Sequence, residues 1–232
     1  MKKIIICLMA LVSVLPSFAG NKKKIIALTF DDGPNTTTTQ QVLDRIEKYK
    51  IVASFFLIGD NITSATIPVM KRAVKLGCEL DSHSKTHPYM DKLTAEQIRD
   101  EMTYTSDTIY RVIGKYPKFF RPPYISLNDL MYETIDLPFI CGYNATDWDP
   151  NVTTEQRIKG VVQQAKDGAI ILLHDFEGNA NTVAALDSII PALQAQGYQF
   201  VTVSQLFKKK HVKPQIHAKV IYSFVGTEDI SH

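Results

Sequence analysis

The order of apolar and polar residues along the chain follows two patterns in turn. Short apolar runs have the composition of buried strands, and longer segments such as 42–49 repeat their apolar residues at helical spacing. The run at 169–173 is apolar throughout, which is typical of a strand buried on both faces. We predict strands at residues 25–30, 52–58, 78–80, 118–121, 139–143, 169–173 and 199–203.

Polar residues mark the beginnings of two helices. Thr-x-x-Gln sequences at 94–97 and 153–156 have the spacing of a capping box, so we predict that a helix begins at each. We expect the second of these helices to stop at Gly168. A further helix is predicted over 182–196, where Pro191 predicts a kink or a break.

The alternation of strands with helices favours a mainly parallel sheet covered by helices. The chain has 232 residues, which is short for a barrel of eight strand–helix units. We therefore predict an α/β fold, a distorted or incomplete (β/α) barrel with about seven parallel strands. An open doubly wound sheet is the alternative, because element order does not determine whether a sheet closes. The segment 218–225 is a candidate for one further strand.

The amino-terminal residues have the three parts of a secretory signal peptide. Lys2 and Lys3 precede an apolar run at 4–15, and small residues follow at Ser17 and Ala19. A transmembrane anchor is the alternative, but the run is short for a membrane-spanning helix. We expect cleavage after Ala19, no membrane anchor in the mature chain, and a secreted or periplasmic location.

The charge balance gives no support to a nucleic-acid partner. Loss of residues 1–19 removes two lysines and no acid, so the formal charge falls from +2 to zero, with 24 basic and 24 acidic side chains. A local basic cluster at 208–213 could bind an anionic wall polymer. Because charge runs usually face solvent, we interpret it as a solvated linker after the last strand.

Two cysteines remain after signal cleavage, Cys78 and Cys141. Export permits a disulfide between them. Both lie in apolar strand contexts, where a free cysteine behaves as a small hydrophobic residue. We expect the two thiols to be buried and unpaired.

Two adjacent acids follow the first predicted strand, and two histidines follow the third. Two imidazoles and one carboxylate bind a divalent transition metal while leaving positions open for water and substrate. A second carboxylate beside the metal can accept a proton from water. The residues concerned are Asp31, Asp32, His83 and His87, and together they predict a metal site with a spare base.

Further polar residues stand at the ends of later strands, where active sites of parallel α/β folds collect. Any one of them has a structural alternative: a hydrogen-bonded core histidine, a structural ion pair or a core aromatic ring. Together with the two acids and two histidines above, they converge at five strand ends, which favours one shared mechanism. They are Arg121, Asp147, Trp148, His174 and Asp175.

Five short blocks, in order, resemble the NodB-homology polysaccharide deacetylases, carbohydrate esterase family four. The resemblance covers about residues 24–207 and implies a distorted β/α barrel. It divides the chain into a signal peptide (1–19), a catalytic domain (20–207) and a basic tail (208–232). The blocks are Thr29-Phe30-Asp31-Asp32-Gly33-Pro34, His83-Ser84-Lys85-Thr86-His87, Arg121-Pro122-Pro123-Tyr124, Asp147-Trp148 and Leu172-Leu173-His174-Asp175.

The resemblance assigns metal binding and the general base to different residues. It implies that Asp32, His83 and His87 bind one divalent metal, with zinc expected and cobalt or nickel as alternatives. It implies that Asp31 is the general base. Arg121 resembles the arginine that orients this base and keeps it ionised.

The resemblance also implies how the acetyl group is bound and cleaved. The backbone N–H of Tyr124 would stabilise the oxyanion. His174 would protonate the leaving group, with Asp147 keeping it protonated and oriented. Trp148 and Leu172 would form an apolar pocket for the acetyl methyl group.

Three positions depart from the commoner pattern of the family and leave the substrate class open: Asp81, Ile125 and Asn144. Asp81 could support a ligand histidine or have a surface or turn role. Softer similarities favour O-acetyl esters of xylan, removed by a monomeric enzyme. A peptidoglycan or chitin N-deacetylase is the enzyme alternative, and a carbohydrate-binding module on an inactive barrel is the non-enzymatic one.

Overall fold

A computed structural model describes residues 23–226, which form a parallel sheet surrounded by helices. The predicted signal peptide lies outside the described residues. Within 23–226, no helix combines the length and apolarity needed to cross a membrane. The strands of the described part are β1 (Lys24–Asp31), β2 (Ser54–Leu57), β3 (Glu79–Ser82), β4 (Phe139–Ile140), β5 (Tyr143–Asn144), β6 (Ile170–His174), β7 (Tyr198–Phe200) and β8 (Ile221–Tyr222).

The helices cover the outer face of the sheet, and their apolar sides supply most of the main core. Both predicted capping boxes are present: Thr94 accepts from the N–H of Gln97, and Thr153 accepts from that of Gln156. The helices are α1 (Thr38–Tyr49), α2 (Ile67–Lys75), α3 (Ala95–Ile113), α4 (Asp129–Thr134), α5 (Thr154–Gln164), α6 (Ala180–Ala195) and α7 (Val203–Lys210).

The sheet is an open barrel, with strand order β3-β2-β1-β6-β5 and with β7 also paired to β1. All strand pairs are parallel. Beyond β3 the ladder is reduced to single bridges, from Ser82 to Phe120 and from Phe120 to Phe139. The predicted distorted (β/α) barrel is confirmed, with eight short strands in residues 23–226.

The carboxyl-terminal segment fills the gap between β4 and β6. Strand β8 pairs with β4, Ile170 donates its N–H to the carbonyl of Ser223 at 3.0 Å, and Phe224 bridges to Ala169. Val225 is buried in the core. The segment 218–225 thus contains a strand and also packs against the barrel.

Successive side chains of strand β1 point alternately into two hydrophobic cores. Ile26, Leu28 and Phe30 belong to the cluster under α1, α2 and α6, whereas Ile25 and Ala27 belong to a second, inner cluster. Because side chains alternate along a strand, Asp31 lies on the same inner face as Ala27. The pattern that builds the core therefore also directs Asp31 towards the inside of the barrel.

Two sequence predictions about regular structure are wrong. Residues 118–121 make single bridges rather than a strand, because the N–H groups of Lys118 and Phe119 donate to a carboxylate oxygen of Asp81. Helix α5 ends at Gln164 rather than at Gly168. The N–H of Gly168 instead donates to the carbonyl of Ile25 at 2.8 Å, outside the helix.

The predicted break at Pro191 is also absent, since α6 continues through it. Proline cannot donate to the carbonyl four residues earlier. That carbonyl, of Asp187, instead accepts a hydrogen bond from the hydroxyl of Tyr49 at 3.3 Å. The freed backbone acceptor is therefore satisfied from α1.

The structure also differs from the prediction at the end of the last predicted strand and in the linker predicted after it. Strand β7 ends at Phe200, and Thr202 caps α7 through the N–H of Gln205. The first three lysines of the basic cluster form the last turn of this helix rather than a linker. The two cysteines are unpaired as predicted, with Cys78 buried and Cys141 half-buried. Burial raises the pKa of the Cys78 thiol to about 11.

Candidate active site

Three candidate metal ligands meet where β1 and β3 end. Asp32 directly follows β1, and His83 directly follows β3. The Nε2 atoms of His83 and His87 each lie 3.4 Å from Oδ1 of Asp32. The three ligand atoms all lie within 4.8 Å of one another. The structure thus brings the predicted ligand set together.

The two histidines are held by contacts that do not use their Nε2 atoms. Nδ1 of His83 donates to the carbonyl of Arg121 at 2.7 Å, which leaves the Nε2 lone pair free to bind a metal. Between the histidines, the N–H groups of residues 85–86 each donate to Oε2 of Glu101 at 2.8 Å. Glu101 of α3 therefore anchors the loop that carries His87. Sequence reasoning did not identify this role.

Asp81 has neither of the roles that the sequence suggested for it. It is fully buried, so it is not a surface residue, and His83 bonds to Arg121 instead. Its Oδ1 accepts from the N–H groups of Lys118 and Phe119 at 2.9 and 3.1 Å. Burial, reinforced by the charge of Glu79, raises the pKa of Asp81 well above its usual value. The buried carboxylate of Asp81 thus accepts hydrogen bonds from backbone N–H groups.

The donor set fits a divalent transition metal. Oδ1 of Asp32 is buried and accepts no hydrogen bond within the described residues, although two imidazole nitrogens lie beside it. Burial alone would raise the pKa of Asp32, but His83 outweighs this effect and the pKa is lowered. Burial and the charge of His83 lower the pKa of His87. An ionised carboxylate and a neutral imidazole are the forms that bind metals.

Asp31 lies beside this cluster but has a different partner. Its Oδ1 accepts from Nη1 of Arg121 at 2.5 Å, and both side chains are almost completely buried. The guanidinium of Arg121 also lies over the ring of Phe56, at 4.1 Å from its centroid. The buried Arg121 fixes the orientation of the Asp31 carboxylate through this charge-assisted hydrogen bond.

His174 and Asp147 form a second pair at the end of β6. Nδ1 of His174 donates to Oδ1 of Asp147 at 2.7 Å, and the backbone N–H of His174 donates to the other oxygen at 2.8 Å. Burial opposes the charged imidazole, but the bond and charge of Asp147 outweigh it, with help from Asp31 and Asp32. Together they raise the pKa of His174 to about 9. His174 can therefore hold a proton at neutral pH.

A second layer of polar residues fixes Asp147. Thr182 donates its hydroxyl to Oδ2 of Asp147 at 2.8 Å, and Asn179 donates to the carbonyl of His174 at 2.9 Å. Nη1 of Arg157 in turn donates to both Asn179 and Thr182. Sequence reasoning did not identify Arg157, because an arginine within an amphipathic helix shows no sign of being buried.

Asp175 is buried behind the site rather than in it. Its Oδ2 accepts from the hydroxyl of Thr39, and its N–H donates to the carbonyl of Asp31. A Cβ on Gly33 would lie 2.7 Å from the same oxygen, so this position requires glycine. Burial raises the pKa of Asp175 to about 7, and the charges of Asp32 and Asp31 add to the effect. Asp175 thus supports the loop that follows β1.

Aromatic rings extend outward from the metal ligands. The ring of Tyr124 contacts that of His87 edge to face at 4.6 Å and stacks on Tyr89 at 4.0 Å with an interplanar angle of 14°. Tyr89 and Tyr124 are 53% and 55% exposed. Tyr89 was not identified from the sequence. Large exposed rings beside a candidate active site are suited to stacking against sugars.

The remaining predicted substrate residues occupy different environments. Leu172 is buried in β6, whereas Trp148 is 52% exposed. The acetyl pocket formed by these two residues stays a prediction. Ile125, at a position where relatives usually have glycine, has a left-handed φ of 52°. This conformation explains why glycine suits the position.

A groove of about 530 Å³ opens beside the candidate metal ligands. Asp32, His87, Asp60, Phe176 and Glu177 are among its lining residues. Among the described residues, no lysine or arginine lines it. The groove can accept a chain-like ligand, and its carboxylates disfavour an anionic one.

Fold and site together define a class: a barrel-type hydrolase with a buried carboxylate–arginine pair, a histidine–carboxylate pair and a candidate metal site. A family model described as polysaccharide deacetylase matches residues 19–137. The chain belongs to this polysaccharide deacetylase family.

Individual relatives act on two kinds of polymer, according to their names. The chain is 54% identical over 198 residues to a bifunctional xylanase/deacetylase of Pseudobutyrivibrio xylanivorans, covering 85% of this chain and 33% of that protein. It is 39% identical over 200 residues to a peptidoglycan-N-acetylglucosamine deacetylase of Bacillus cereus, covering 82% of this chain and 92% of that protein. The chain thus spans about a third of the length of the first relative.

Two solved structures share the fold. The Xyl-CE4 domain of a multidomain xylanase from the hindgut metagenome of Trinervitermes trinervoides has a TM-score of 0.86 and 51% identity, covering 88% of this chain and 98% of that one. A family 4 acetyl xylan esterase from Clostridium thermocellum, in complex with a cobalt ion, has a TM-score of 0.85 and 39% identity. That match covers 87% of this chain and 99% of that one.

Proposed function

We propose that the protein is a secreted, metal-dependent deacetylase that removes O-acetyl groups from xylan. One observation carries the proposal: Asp31 is ion-paired with Arg121 immediately beside a separate Asp-His-His ligand set. A carboxylate committed to a metal is a poor base. A neighbouring carboxylate that an arginine holds in place, and that does not bind the metal, is free to accept a proton.

Asp32, His83 and His87 would hold the metal. A divalent transition metal bound there would polarise the acetyl carbonyl and acidify water. The cobalt ion in the Clostridium thermocellum esterase supports a metal at this place, and zinc remains the metal that we expect from the ligand set.

Asp31 acts on the attacking water. As the water oxygen bonds to the acetyl carbon, a carboxylate oxygen of Asp31 accepts the proton, and the carbonyl oxygen becomes an oxyanion. The N–H of Tyr124 is proposed to stabilise this oxyanion. Arg121 keeps the carboxylate of Asp31 in place throughout.

His174 completes the reaction. Collapse of the tetrahedral centre breaks the bond to the sugar oxygen, which takes a proton from Nε2 of His174. Asp147 binds Nδ1, so only the other ring nitrogen faces away from this carboxylate and is available for transfer. The products are acetate and a free sugar hydroxyl.

The sugar chain is proposed to lie between the groove and the stacked tyrosines. Tyr89 and Tyr124 offer exposed aromatic edges and faces beside His87. On the other side, Phe176 and the amide of Asn35 line the groove. Sugar rings bind to such combinations of apolar faces and hydrogen-bonding groups.

Xylan is favoured by the relatives whose names mention xylan or xylanase, at 54%, 51% and 39% identity. An ester also makes a smaller demand on His174 than an amide, because an alkoxide is the better leaving group. The second candidate is N-deacetylation of peptidoglycan. It is supported by the Bacillus cereus peptidoglycan deacetylase, since the match with this chain covers 92% of that protein's length.

Acetate release on three polymers tests the substrate class. At equal acetyl concentration and with the same metal, we expect O-acetylated xylan to be deacetylated much faster than N-acetylated glucosamine oligomers or peptidoglycan. If either N-acetylated polymer reacts faster, the xylan assignment is wrong and the N-deacetylase replaces it.

A further inference from the structure

Two adjoining grooves lie at the opposite end of the barrel from the metal ligands. The larger, of about 910 Å³, includes residues 50–52, which precede β2, and residues 198–201 at and after β7. The smaller, of about 550 Å³, includes Phe119 and Phe207. Lys208 and His211 line both. Because the strands are parallel, a groove at their amino ends is remote from a site at their carboxyl ends.

These grooves contain a concentration of positive charge. Lys50, Lys208 and Lys209 line the larger groove, and Lys118 and Lys213 line the smaller one. No aspartate or glutamate lines either groove. The adjacent Lys210 does not contribute to this surface, because it is paired with Asp167 at 2.7 Å. The charges are spread along the grooves, which suits a series of anionic groups better than one small anion.

The remaining lining of the larger groove suits sugar rings. Its accessible apolar surface includes the half-buried ring of Phe200, whereas Ile51 and Val201, which also line it, are buried. Three amide side chains, Gln194, Gln199 and Gln205, stand around it. Amides can bond to hydroxyl groups, and apolar surfaces accept the C–H faces of pyranose rings.

Charge is distributed oppositely at the two ends of the barrel. The groove beside the metal ligands carries Asp32, Asp60 and Glu177, so an anionic substituent is unfavourable there. At the far end, by contrast, lysines but no carboxylates of the described residues line the grooves. The two ends therefore favour different stretches of a partly charged polymer.

We propose that the two basic grooves form a secondary binding site for a polysaccharide that carries carboxylate groups, such as a chain with uronic acid residues. The site goes beyond the proposed deacetylation. It holds the protein on a charged polymer while the distant active site acts on neutral, acetylated stretches.

The test measures binding to glucuronoxylan from which all acetyl groups have been removed. The full chain is compared with K208Q/K209Q and with a control, K71Q/K159Q, that loses the same charge from exposed positions of α2 and α5. We expect the first pair to weaken binding about 3- to 10-fold at low salt, since exposed ion pairs each contribute modestly. The control pair should bind as the unchanged protein does. Thermal unfolding checks that both variants are folded.

Two further probes identify the chemistry recognised. Neutral arabinoxylan should show no difference between the two variants, and polyphosphate of matched charge should bind more weakly than glucuronoxylan. The proposal is overturned if the two double variants weaken glucuronoxylan binding equally, or if polyphosphate binds as tightly as glucuronoxylan. Because the polymer has no acetyl group, the result is independent of whether xylan esters are the substrate.

Discussion

Asp31 and Asp32 are neighbours with the same side chain but different surroundings. Asp31 faces the inner side of the barrel and pairs with Arg121, whereas Asp32, with a left-handed φ of 76°, lies beside two imidazoles. The different partners allow one carboxylate to bind a metal and the other to accept a proton. The division of roles depends on backbone direction at the end of β1.

Replacing Asp31 with asparagine should separate these roles. We expect metal content to be unchanged and kcat to fall by about 100- to 10,000-fold, the usual contribution of a positioned base. Asp32→Asn is the matched change and should lower metal affinity as well. Metal content by elemental analysis and acetate release are measured on the same samples. Loss of metal from Asp31→Asn would contradict the assignment.

The pKa of His174 predicts the alkaline limit of activity. Asp147 raises this pKa to about 9, so the acid is protonated at neutral pH and is lost as the pH rises through the pKa. A bound metal cation would move the limit to lower pH. In Asp147→Asn the carboxylate charge is gone, the imidazolium is less stable, and the alkaline limb of kcat should shift to still lower pH. An unchanged limb would show that another group controls it.

Tyr89 should contribute to binding of polymer but not to chemistry. Tyr89→Ala removes the exposed outer ring of the stack, so we expect KM for xylo-oligosaccharides to rise several-fold with kcat nearly unchanged. A small aryl acetate, which does not reach the ring, should be hydrolysed normally. Tyr110→Ala removes another exposed ring, from α3, and serves as the control. A fall in metal affinity in Tyr89→Ala would instead indicate that the stack supports His87.

At the scale of elements, capping chemistry was the most reliable signal in the sequence. Helices α3 and α5 begin where their Thr-x-x-Gln pairs predict. The same signal is present at Thr202 and Gln205, and it marks α7. The prediction missed this cap because the predicted strand at 199–203 included Val203, the first residue of the helix. Recognition of this cap would have shortened the last strand and placed the lysines on a helix.

The errors at 118–121 and Pro191 have a different origin. Both depend on hydrogen bonds from residues distant in sequence: Asp81 accepts the N–H groups at 118 and 119, and Tyr49 donates to the carbonyl that Pro191 leaves free. Local patterns cannot reveal these partners. The five family blocks, by contrast, located the candidate site because its residues follow strand ends.

The contact between Gly168 and residues Phe224 and Val225 gives a stability test. Gly168 has a φ of 106°, and a Cβ there would lie 2.3 Å from the carbonyl oxygen of Val225. Gly197 has a φ of 85° but nothing within 4 Å. Both alanine variants lose about 1–2 kcal/mol to backbone conformation. Gly168→Ala should lose an additional ~1–3 kcal/mol as the tail is displaced.

Urea unfolding of the two variants measures this difference. If Gly168→Ala and Gly197→Ala lower the free energy of unfolding equally, the carboxyl-terminal segment does not pack against the barrel as described. A larger loss in Gly168→Ala alone supports a structural role for residues 221–225.

At the scale of the whole molecule, the parallel barrel gathers distant residues at one end. The candidate ligands and Asp31 come from the first half of the chain, whereas Arg121 and the His174–Asp147 pair come from the second half. Strand β1 joins them, because Asp31 pairs in register with His174 of β6. The opposite end carries the basic grooves, which no carboxylate of the described residues lines. The two ends of the barrel are therefore chemically different.

The proposed activity is metal-dependent release of acetate from polysaccharide. It is tested most directly by adding metal stepwise to protein from which a chelator has removed all metal. Acetate release from O-acetylated xylan and bound metal are measured at each step. We expect the chelated protein to be inactive and activity to rise in proportion to bound metal, reaching its limit at about one ion per chain, as a three-ligand site predicts. Full activity without metal, or stoichiometric binding without acetate release from any acetylated polysaccharide, would contradict the assignment.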